Sequence, residues 1–454
     1  MTVYFIYYQE MKIKTTTYRT ERKSKRDYRL RIGLSINLPD DSILNTSAII
    51  KLNPLANLYG KSPDITFGML YLSAIVYAID RAVKRNRFSI DGWSREFDVD
   101  ICIPEFEMFH SVEPQINEML SFLTGDYWEC HFIGSATVKY PRYRTTDCFD
   151  GISQVNLFSG GMDSLIGAID YMEENPSGKL FLASHYDSFM KGPSSDQSAI
   201  LKHFYSKYNG RFFSIGPVLI QPEISLELSC RSRSLMFISI ALVVAEYAQC
   251  NVGVPENGSV SLNYPLSSSR RASCSTRTTH PIFLRHLNNI TSSIGISAIV
   301  SNRYEKQTKG EMVRACAKKS YLCEIVGSSN SCGKRSLHQS MHDNRTATHC
   351  GFCMPCMYRR AALLGENDPT TYGNSFSTLF NNKGMKLSED FFAMLNFLKK
   401  DLSRDDIRRE LMIAGMCGFE DMDDFVDLVV RTREELKNMV YADGCADVIS
   451  FMNE

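Results

Sequence analysis

The sequence has no excess of charge of either sign and no apolar run long enough to cross a bilayer. Its 454 residues contain 51 Lys or Arg and 51 Asp or Glu, so the formal net charge is zero. A neutral chain is not expected to coat nucleic acid or an acidic membrane as its main task. The most apolar segment, residues 235–244, is far short of the roughly 20 residues that a membrane-spanning helix needs. We therefore expect no membrane association.

The chain also lacks the features of a secreted protein. Its first residues contain no basic region followed by an apolar stretch and a small-residue cleavage site, so we expect no export and a cytoplasmic location. The 14 cysteines are scattered along a large chain, except for one tight group. This distribution favours reduced thiols over a disulfide framework.

The chain is too long for one compact core, and its patterning predicts three parts. Residues 1–145 form an N-terminal α+β module around a helix at residues 65–83, whose apolar side chains recur at helical spacing. Residues 150–365 alternate short apolar strands with helices, which is typical of an α/β domain with a doubly wound parallel sheet. The pattern of residues 366–454 predicts a C-terminal helical module. The strand-like runs of the first module are residues 3–8, 28–38, 96–103 and 128–133.

A basic stretch stands out in the first module. Residues 12–31 contain nine Lys or Arg against Glu21 and Asp27. Such a stretch is compatible with binding RNA or an acidic partner. The more common structure for such a charge run is a solvated hairpin, which we favour.

A strand, a glycine turn and a helix start follow one another at residues 154–170. The turn reads Ser159-Gly160-Gly161-Met-Asp163-Ser164. Adjacent glycines allow backbone angles closed to other residues, so successive N–H groups can turn towards a phosphate. The helix, capped by Asp163 and Ser164, adds its dipole, and Asp163 is placed to hold Mg²⁺. No lysine follows the turn as it does in a Walker loop, so cleavage at the γ-phosphate is not supported.

Four cysteines in the second half of the chain predict a metal site. Cys350, Cys353 and Cys356 form two consecutive C-x-x-C steps, and Cys332 lies upstream. Four thiolates suit tetrahedral Zn²⁺ in a closed, structural site. The triplet is the firmer part of this prediction, because other residues are available as the fourth ligand. These are Cys316, Cys323 and His349.

Iron is a less suitable metal for this group. A bacterial iron–sulfur run places a fourth cysteine after three intervening residues, followed by proline. Arg360 occupies that position here. The spacing therefore favours zinc.

The glycine turn and the cysteine group together resemble the signatures of a known enzyme family. Residues 159–164 are similar to the motif of PP-loop ATP pyrophosphatases, and the four cysteines with Arg359 resemble the 7-cyano-7-deazaguanine synthase (QueC) family. The resemblance spans about residues 154–360. It implies an adenine nucleotide alpha hydrolase-like fold, ATP, Mg²⁺ and structural Zn²⁺. In that family ATP adenylates the carboxylate of 7-carboxy-7-deazaguanine, ammonia gives the amide, and a second activation gives the nitrile.

The resemblance also implies a set of site residues. It implies that Asp163, Ser164 and Lys309 are catalytic. It also implies that the glycine turn contacts ATP. Arg231 and Arg233 lie at the start of an apolar helix and would bind a phosphate or carboxylate. The alternative is that they lie at an ordinary solvated helix end. Substrate contacts follow two strands, at His185, Asp187, Glu256 and Asn257.

The chain departs from the family at the substrate segments. His185 and Asp187 stand where the synthases have a tyrosine–glycine pair, and His185 is equally explained as a core histidine with satisfied nitrogens. A loop rich in Ser and Arg at residues 259–279 replaces the family's acidic substrate segment. The sequence therefore leaves the substrate open.

The extra modules resemble the enlarged QueC-like proteins of bacterial anti-phage systems. That resemblance implies partner proteins from a defence operon, one of which would offer an amine in place of ammonia. Two alternatives remain. One is a tRNA-modifying PP-loop enzyme that holds RNA with residues 12–31, which the neutral charge disfavours. The other is a non-catalytic nucleotide-binding component of a defence complex.

Overall fold

A computed structural model describes most of the chain. The described residues are 10–24, 27–51, 53–134, 138, 149–189, 192–214, 216–266, 277–335 and 342–454. The strand predicted at residues 3–8 lies outside them.

The described strands and helices follow one another along the chain. The strands are β1 Met11–Ser24, β2 Asp27–Asn37, β3 Ile43–Lys51, β4 Glu96–Ile101, β5 Tyr127–Phe132, β6 Ile152–Leu157, β7 Lys179–Ala183, β8 His185–Tyr186, β9 Phe212–Phe213, β10 Val218–Pro222, β11 Val252–Gly253 and β12 Val300–Ser301. The helices are α1 Asp64–Ala82, α2 Arg85–Phe88, α3 Phe106–His110, α4 Glu113–Thr124, α5 Met162–Glu174, α6 Pro193–Lys207, α7 Arg233–Ala248, α8 Gly258–Leu262, α9 Pro281–Ser293, α10 Lys309–Arg314, α11 Lys319–Ile325, α12 Met354–Ala362, α13 Phe376–Asn381, α14 Glu389–Lys399, α15 Arg404–Leu411, α16 Met422–Asp443 and α17 Ala446–Asn453. Short 3-10 turns lie at Asn53–Leu55 and Val326–Ser328, and a π-helical turn lies at Met412–Met416.

Two sheets organise the described chain up to β12. One is mixed, with seven strands in the order β5-β4-β1-β2-β3-β10-β8. The other has five strands, all parallel, in the order β12-β11-β6-β7-β9. The α/β class and the parallel sheet of the middle part are therefore confirmed.

The mixed sheet contains more of the chain than the sequence indicates. The predicted strands do not include β3. The apolar run at residues 212–220, which by its pattern indicates one strand, contains β9 and β10, which lie in different sheets. Gly216 lies between them with φ of 75° and is followed by Pro217, which has no N–H to donate to a ladder. These two residues break the run and let its second half join the mixed sheet.

Helices cover both faces of the parallel sheet. Along β7, Leu180 and Leu182 pack into a core with residues of α5 and α6. The intervening Phe181 and Ala183 point to the opposite face and pack into a core with residues of α7 and α9. This alternation is what a doubly wound sheet requires. The second core also contains α1 and the strands of the mixed sheet, so it continues across the predicted boundary near residues 145–150.

Helix α1 is long and apolar enough, by length and composition, to cross a membrane. The expectation that the chain has no such segment was therefore wrong. Its apolar window is entirely buried in the structure. It packs against β3, β10 and α7. Burial on all sides explains why the helix is apolar all round.

A buried cluster of charges joins this part of the chain to the start of α7. The guanidinium of Arg95 lies 2.6 Å from Asp80 and 2.7 Å from Asp126, and Arg85 lies 2.6 Å from Asp126. The hydroxyl of Ser232 donates to Asp80 at 2.8 Å. Two positive and two negative groups balance one another here, which is the condition for burying charge without a large penalty.

The described parts of the basic stretch, residues 12–24 and 27–31, lie in the antiparallel pair of β1 and β2, which agrees with the hairpin interpretation. Part of its charge is paired with carboxylates. Arg31 lies 3.0 Å from Glu21 and 2.9 Å from Glu223. These pairs reduce the positive charge that the hairpin offers to RNA.

The end of the chain is helical, as predicted. Helices α13 to α17 pack with α12 around an apolar core that also contains Cys350, Cys353 and Cys356. The amphipathic stretch at residues 405–416 does not form one continuous helix, because Gly415 has φ of 99° in the π-helical turn that follows α15. The cysteine group is therefore packed into the same core as the C-terminal helices.

Candidate functional site

The glycine turn connects β6 to α5 at the carboxyl edge of the parallel sheet. Gly160 has φ of 87°, a conformation that favours glycine. Gly161 is the N-cap of α5, so Asp163 and Ser164 lie in the first turn and not at the cap, contrary to the sequence prediction. The hydroxyl of Ser164 donates to the Gly161 carbonyl at 2.9 Å, and the exposed Ser159 lies 3.3 Å from Ser164.

The two glycines differ in whether the surrounding atoms leave room for a Cβ. This difference allows the conformation of the turn to be tested by substitution. A Cβ on Gly160 would lie 3.0 Å from both the Asp196 Cβ and the Gln197 backbone nitrogen, whereas one on Gly161 would meet only ordinary contacts. We expect Gly160→Ala to lower the free energy of unfolding by about 1–3 kcal/mol. Gly161→Ala is the matched control and should change it by less than about 1 kcal/mol. Urea unfolding checks both, and equal losses would contradict this account of the turn.

Three segments bring charged and polar side chains together behind the turn. The ammonium of Lys309, in α10, lies 2.7 and 2.8 Å from the two carboxylate oxygens of Asp163. The amide of Asn257, which follows β11, donates to Asp163 at 2.8 Å and lies 3.3 Å from Glu256. Asp163, Asn257 and Lys309 are buried. The structure therefore groups four of the residues proposed from sequence, while their roles stay predictions.

The pKa values of the two carboxyl groups of this cluster are shifted in opposite directions. Burial raises the pKa of Asp163, but the ammonium of Lys309 and hydrogen bonds from its neighbours outweigh it, and the net pKa lies below the ordinary value. Burial and the charge of Asp163 raise the pKa of Glu256 well above its ordinary value. The interaction between the two carboxyl groups adds to these opposite shifts, lowering the pKa of Asp163 and raising the pKa of Glu256.

This arrangement does not present Asp163 as an open ligand for Mg²⁺. A magnesium ion at a phosphate site takes one or two carboxylates together with phosphate oxygens and water. Lys309 is within 2.8 Å of both Asp163 oxygens and already neutralises their charge. The residues therefore do not fit the ion as they stand, and we assign no chemical step to it.

The two arginines at the start of α7 point to different places. Arg231 is buried, its guanidinium donates to the Thr124 carbonyl at 2.7 Å, and it lies over the ring of Trp93. These contacts join it to the buried charged cluster of the N-terminal part. The structure does not place it in contact with the glycine turn among the described residues.

Arg233 instead contacts His185. Its Nε donates to His185 Nδ1 at 3.4 Å, while His185 Nε2 lies 2.8 Å from the Ile220 carbonyl. Burial and the charge of Arg233 lower the pKa of His185 to about 3. His185 is therefore neutral at physiological pH, donates through Nε2 and orients Arg233. It is a core histidine with satisfied nitrogens and not a general base in this state.

Asp187 is engaged by neighbouring groups as well. The Tyr77 hydroxyl donates to one carboxylate oxygen at 2.6 Å, and the Phe189 N–H donates to the other at 2.8 Å. Asp187 is buried. Its observed role is to connect α1 to the segment that follows β8.

The cysteine group is assembled as the sequence predicts. The sulfurs of Cys332, Cys350, Cys353 and Cys356 all lie within 4.8 Å of one another. Two measured separations are 4.0 Å, between Cys332 and Cys353, and 3.9 Å, between Cys350 and Cys356. A tetrahedral zinc with Zn–S bonds of about 2.3 Å places its sulfurs about 3.8 Å apart. The group therefore fits zinc, and Cys332 supplies the fourth sulfur where Cys316, Cys323 and His349 were the alternatives.

The metal group is linked directly to the glycine turn. The backbone N–H of Asn330 donates to the Gly160 carbonyl at 2.9 Å. The next residue, Ser331, accepts a weak hydrogen bond from the Met162 N–H at 3.4 Å through its hydroxyl oxygen. Cys332 follows immediately, so a metal held there also fixes the segment that supports the turn.

Sequence reasoning missed the residues that support the site from a distance. Ser331 was visible only as the neighbour of a cysteine, and Tyr77 only as part of a core helix. Arg335 pairs with Asp196 beside the turn. A local pattern carries no signal for such contacts, because their partners lie more than a hundred residues away.

The candidate site thus consists of the glycine turn, the cluster of Asp163, Lys309, Asn257 and Glu256, and the cysteine group behind the turn. The family resemblance rests on these residues alone. Comparisons with protein-family models, with curated proteins and with solved structures find no significant match.

Proposed function

We propose that this protein activates a carboxylate with ATP in the manner of the PP-loop enzymes. A carboxylate oxygen of a 7-carboxy-7-deazaguanine-like substrate bonds to the α-phosphorus, and the bond to pyrophosphate breaks. An amine or ammonia then attacks the acyl carbon, and AMP leaves with the former carboxylate oxygen. With ammonia the product is an amide, which a second activation converts to a nitrile. An amine on a partner protein of an anti-phage system gives a modified protein instead.

The buried pair of Lys309 and Asp163 beside the glycine turn is the observation that carries this proposal. The helix start and its unpaired N–H groups favour an anion at the turn. Asp163 holds the ammonium of Lys309 at a fixed place next to that anion. A preorganised cation in a buried site stabilises negative charge that develops on a phosphate during reaction. The exposed Ser159, whose hydroxyl donates only a long hydrogen bond of 3.3 Å to Ser164, supplies a hydroxyl at the same turn.

Arg233 supports a carboxylate as the second substrate. It is only partly buried, and His185 Nδ1 fixes the direction of its Nε. The other guanidinium nitrogens remain suited to a carboxylate, which arginine binds through paired hydrogen bonds. We assign the cysteine group a structural role, because zinc with four sulfur ligands has no open position for a substrate.

Product analysis tests the proposal. The protein is incubated with ATP, Mg²⁺ and 7-carboxy-7-deazaguanine, with ammonia or with co-expressed operon partners, and the products are separated by mass spectrometry. We expect AMP and pyrophosphate, together with an amide or nitrile or with a mass increase on a partner protein. ADP and phosphate would contradict chemistry at the α-phosphate. Release of AMP only when tRNA is added would favour the tRNA-modifying alternative.

A further inference from the structure

The two segments that hold the clustered side chains are short. Lys309 is the first residue of α10, which has six residues and follows the two-residue strand β12 by a turn. Asn257 is the N-cap of α8, which has five residues. Helices of this length are not stable alone. Something outside them must fix the position of Lys309 against Asp163.

Helix α16 of the C-terminal part contacts both segments. Glu435 accepts hydrogen bonds from the Thr308 hydroxyl at 2.6 Å and from the Gly310 N–H at 3.2 Å, and it lies 2.9 Å from Arg314. Thr308 and Gly310 are the two neighbours of Lys309 in the chain. One carboxylate therefore contacts both neighbours of the candidate catalytic lysine, the Thr308 side chain and the Gly310 backbone.

Other residues of α16 hold the same region. Arg431 donates to the Lys306 carbonyl at 2.8 Å, and its guanidinium lies 2.7 Å from Glu311. The hydroxyl of Thr432 lies 2.6 Å from that of Ser259, in α8. One helix of the C-terminal part thus contacts the segments of Lys309 and of Asn257.

Two glycines show how close these elements come. A Cβ on Gly310 would overlap the carboxylate of Glu435, and a Cβ on Gly258 would overlap the Glu305 carbonyl and approach Leu428 of α16. Glycine is needed at position 258, where the backbone carbonyl of Glu305 leaves no room for a side chain, whereas the contact at position 310 is with the flexible end of Glu435. The close approach is independent of the hydrogen bonds and supports the same assignment.

We propose that Glu435 is a positioning residue of the active site, and that α16 makes the C-terminal module part of the catalytic unit. The positioning role of Glu435 rests on the proposed function. It gives a role to the C-terminal module, which the PP-loop resemblance leaves unexplained. Glu435 acts through Lys309, which it holds at its distance from Asp163. Loss of the Glu435 contacts should lower the rate of the chemical step more than the affinity for ATP, because the glycine turn lies on other elements.

The test compares Glu435→Ala and Glu435→Gln with Glu434→Ala, an exposed neighbour on the same helix. We expect Glu435→Ala to lower kcat for pyrophosphate release by about 10- to 100-fold, with KM for ATP changed by less than about threefold. Glu435→Gln keeps an acceptor oxygen and should recover most of the loss. Glu434→Ala should match the wild type. A kcat within twofold of wild type in Glu435→Ala, or equal rises in KM, would overturn the proposal.

Hydrogen–deuterium exchange of the full-length protein separates this proposal from the proposed function. Faster exchange is expected at residues 305–314 in Glu435→Ala and not in Glu434→Ala. If the wild type released no pyrophosphate, the proposed function would fail, and the exchange experiment would still decide whether Glu435 holds this segment. Unchanged exchange there would overturn the positioning role. If Glu435→Ala does not fold, kcat and hydrogen–deuterium exchange are measured on Glu435→Gln instead. We then expect smaller changes in the same direction, and the absence of both changes would overturn the proposal.

Discussion

Replacing Lys309 by methionine is expected to lower the rate of pyrophosphate release by at least about 100-fold, the loss typical when one preorganised charge-stabilising group is removed from an active site. Methionine keeps most of the length of the side chain and removes only the charge. The ammonium lies 2.7 Å from Asp163 in a buried place, where no other described cation is equally near. Steady-state pyrophosphate release measures the effect.

A matched substitution separates charge from general damage. Lys318→Met removes an exposed lysine from the turn between α10 and α11 and should leave the rate within about twofold of wild type, as surface changes usually do. Circular dichroism should show native secondary structure for both variants. A Lys309→Met protein that keeps wild-type turnover would show that the buried pair has only a structural role.

Replacing Cys353 by serine is expected to abolish zinc binding and to destabilise the protein strongly. Structural zinc contributes on the order of 10 kcal/mol to the folding of the segment that binds it, and Cys353 is one of four clustered sulfurs. The loss should reach the glycine turn, since Asn330 and Ser331 contact it just before Cys332. Elemental analysis and thermal unfolding measure the metal and the stability.

The control for this substitution is Cys417→Ser, because Cys417 is exposed and lies outside the cluster. It should keep one zinc per chain and the wild-type melting temperature. The structural-site assignment would be wrong if Cys353→Ser retained the same zinc content and melting temperature as this control.

The sequence was informative where a short pattern determines local structure. The adjacent glycines at 160 and 161 predict the strand, turn and helix start that the structure shows, and three cysteines at two-residue spacing predict the metal group. In both cases the chemistry needs residues that are close together along the chain. The helix that became α7 was predicted for a similar reason, as a nearly uninterrupted apolar run.

The directions of side chains at α7 could not be predicted in this way. Arg231 and Arg233 are two positions apart, which places them on different sides of a helix start. One meets Thr124 and the charged cluster around Asp126, and the other meets His185. Where each arginine points depends on partners more than 40 residues away, and the local sequence does not contain them.

The same limit applies to Glu435. It lies on an amphipathic helix whose pattern predicts only a buried face and a solvated face. Its contacts with Thr308 and Gly310 join residues that are 127 and 125 positions apart. The sequence predicted the helix, and only the fold shows that it reaches the segment of Lys309.

Transfer of an isotope tests the central claim most directly. The proposed substrate, 7-carboxy-7-deazaguanine, is prepared with ¹⁸O in both carboxylate oxygens and incubated with ATP, the protein and the amine acceptor, and the AMP is analysed by mass spectrometry. Adenylation of the carboxylate predicts one ¹⁸O atom in the phosphate of AMP, because the acyl–oxygen bond breaks when the amine attacks. AMP without label, or ADP in its place, would contradict the account.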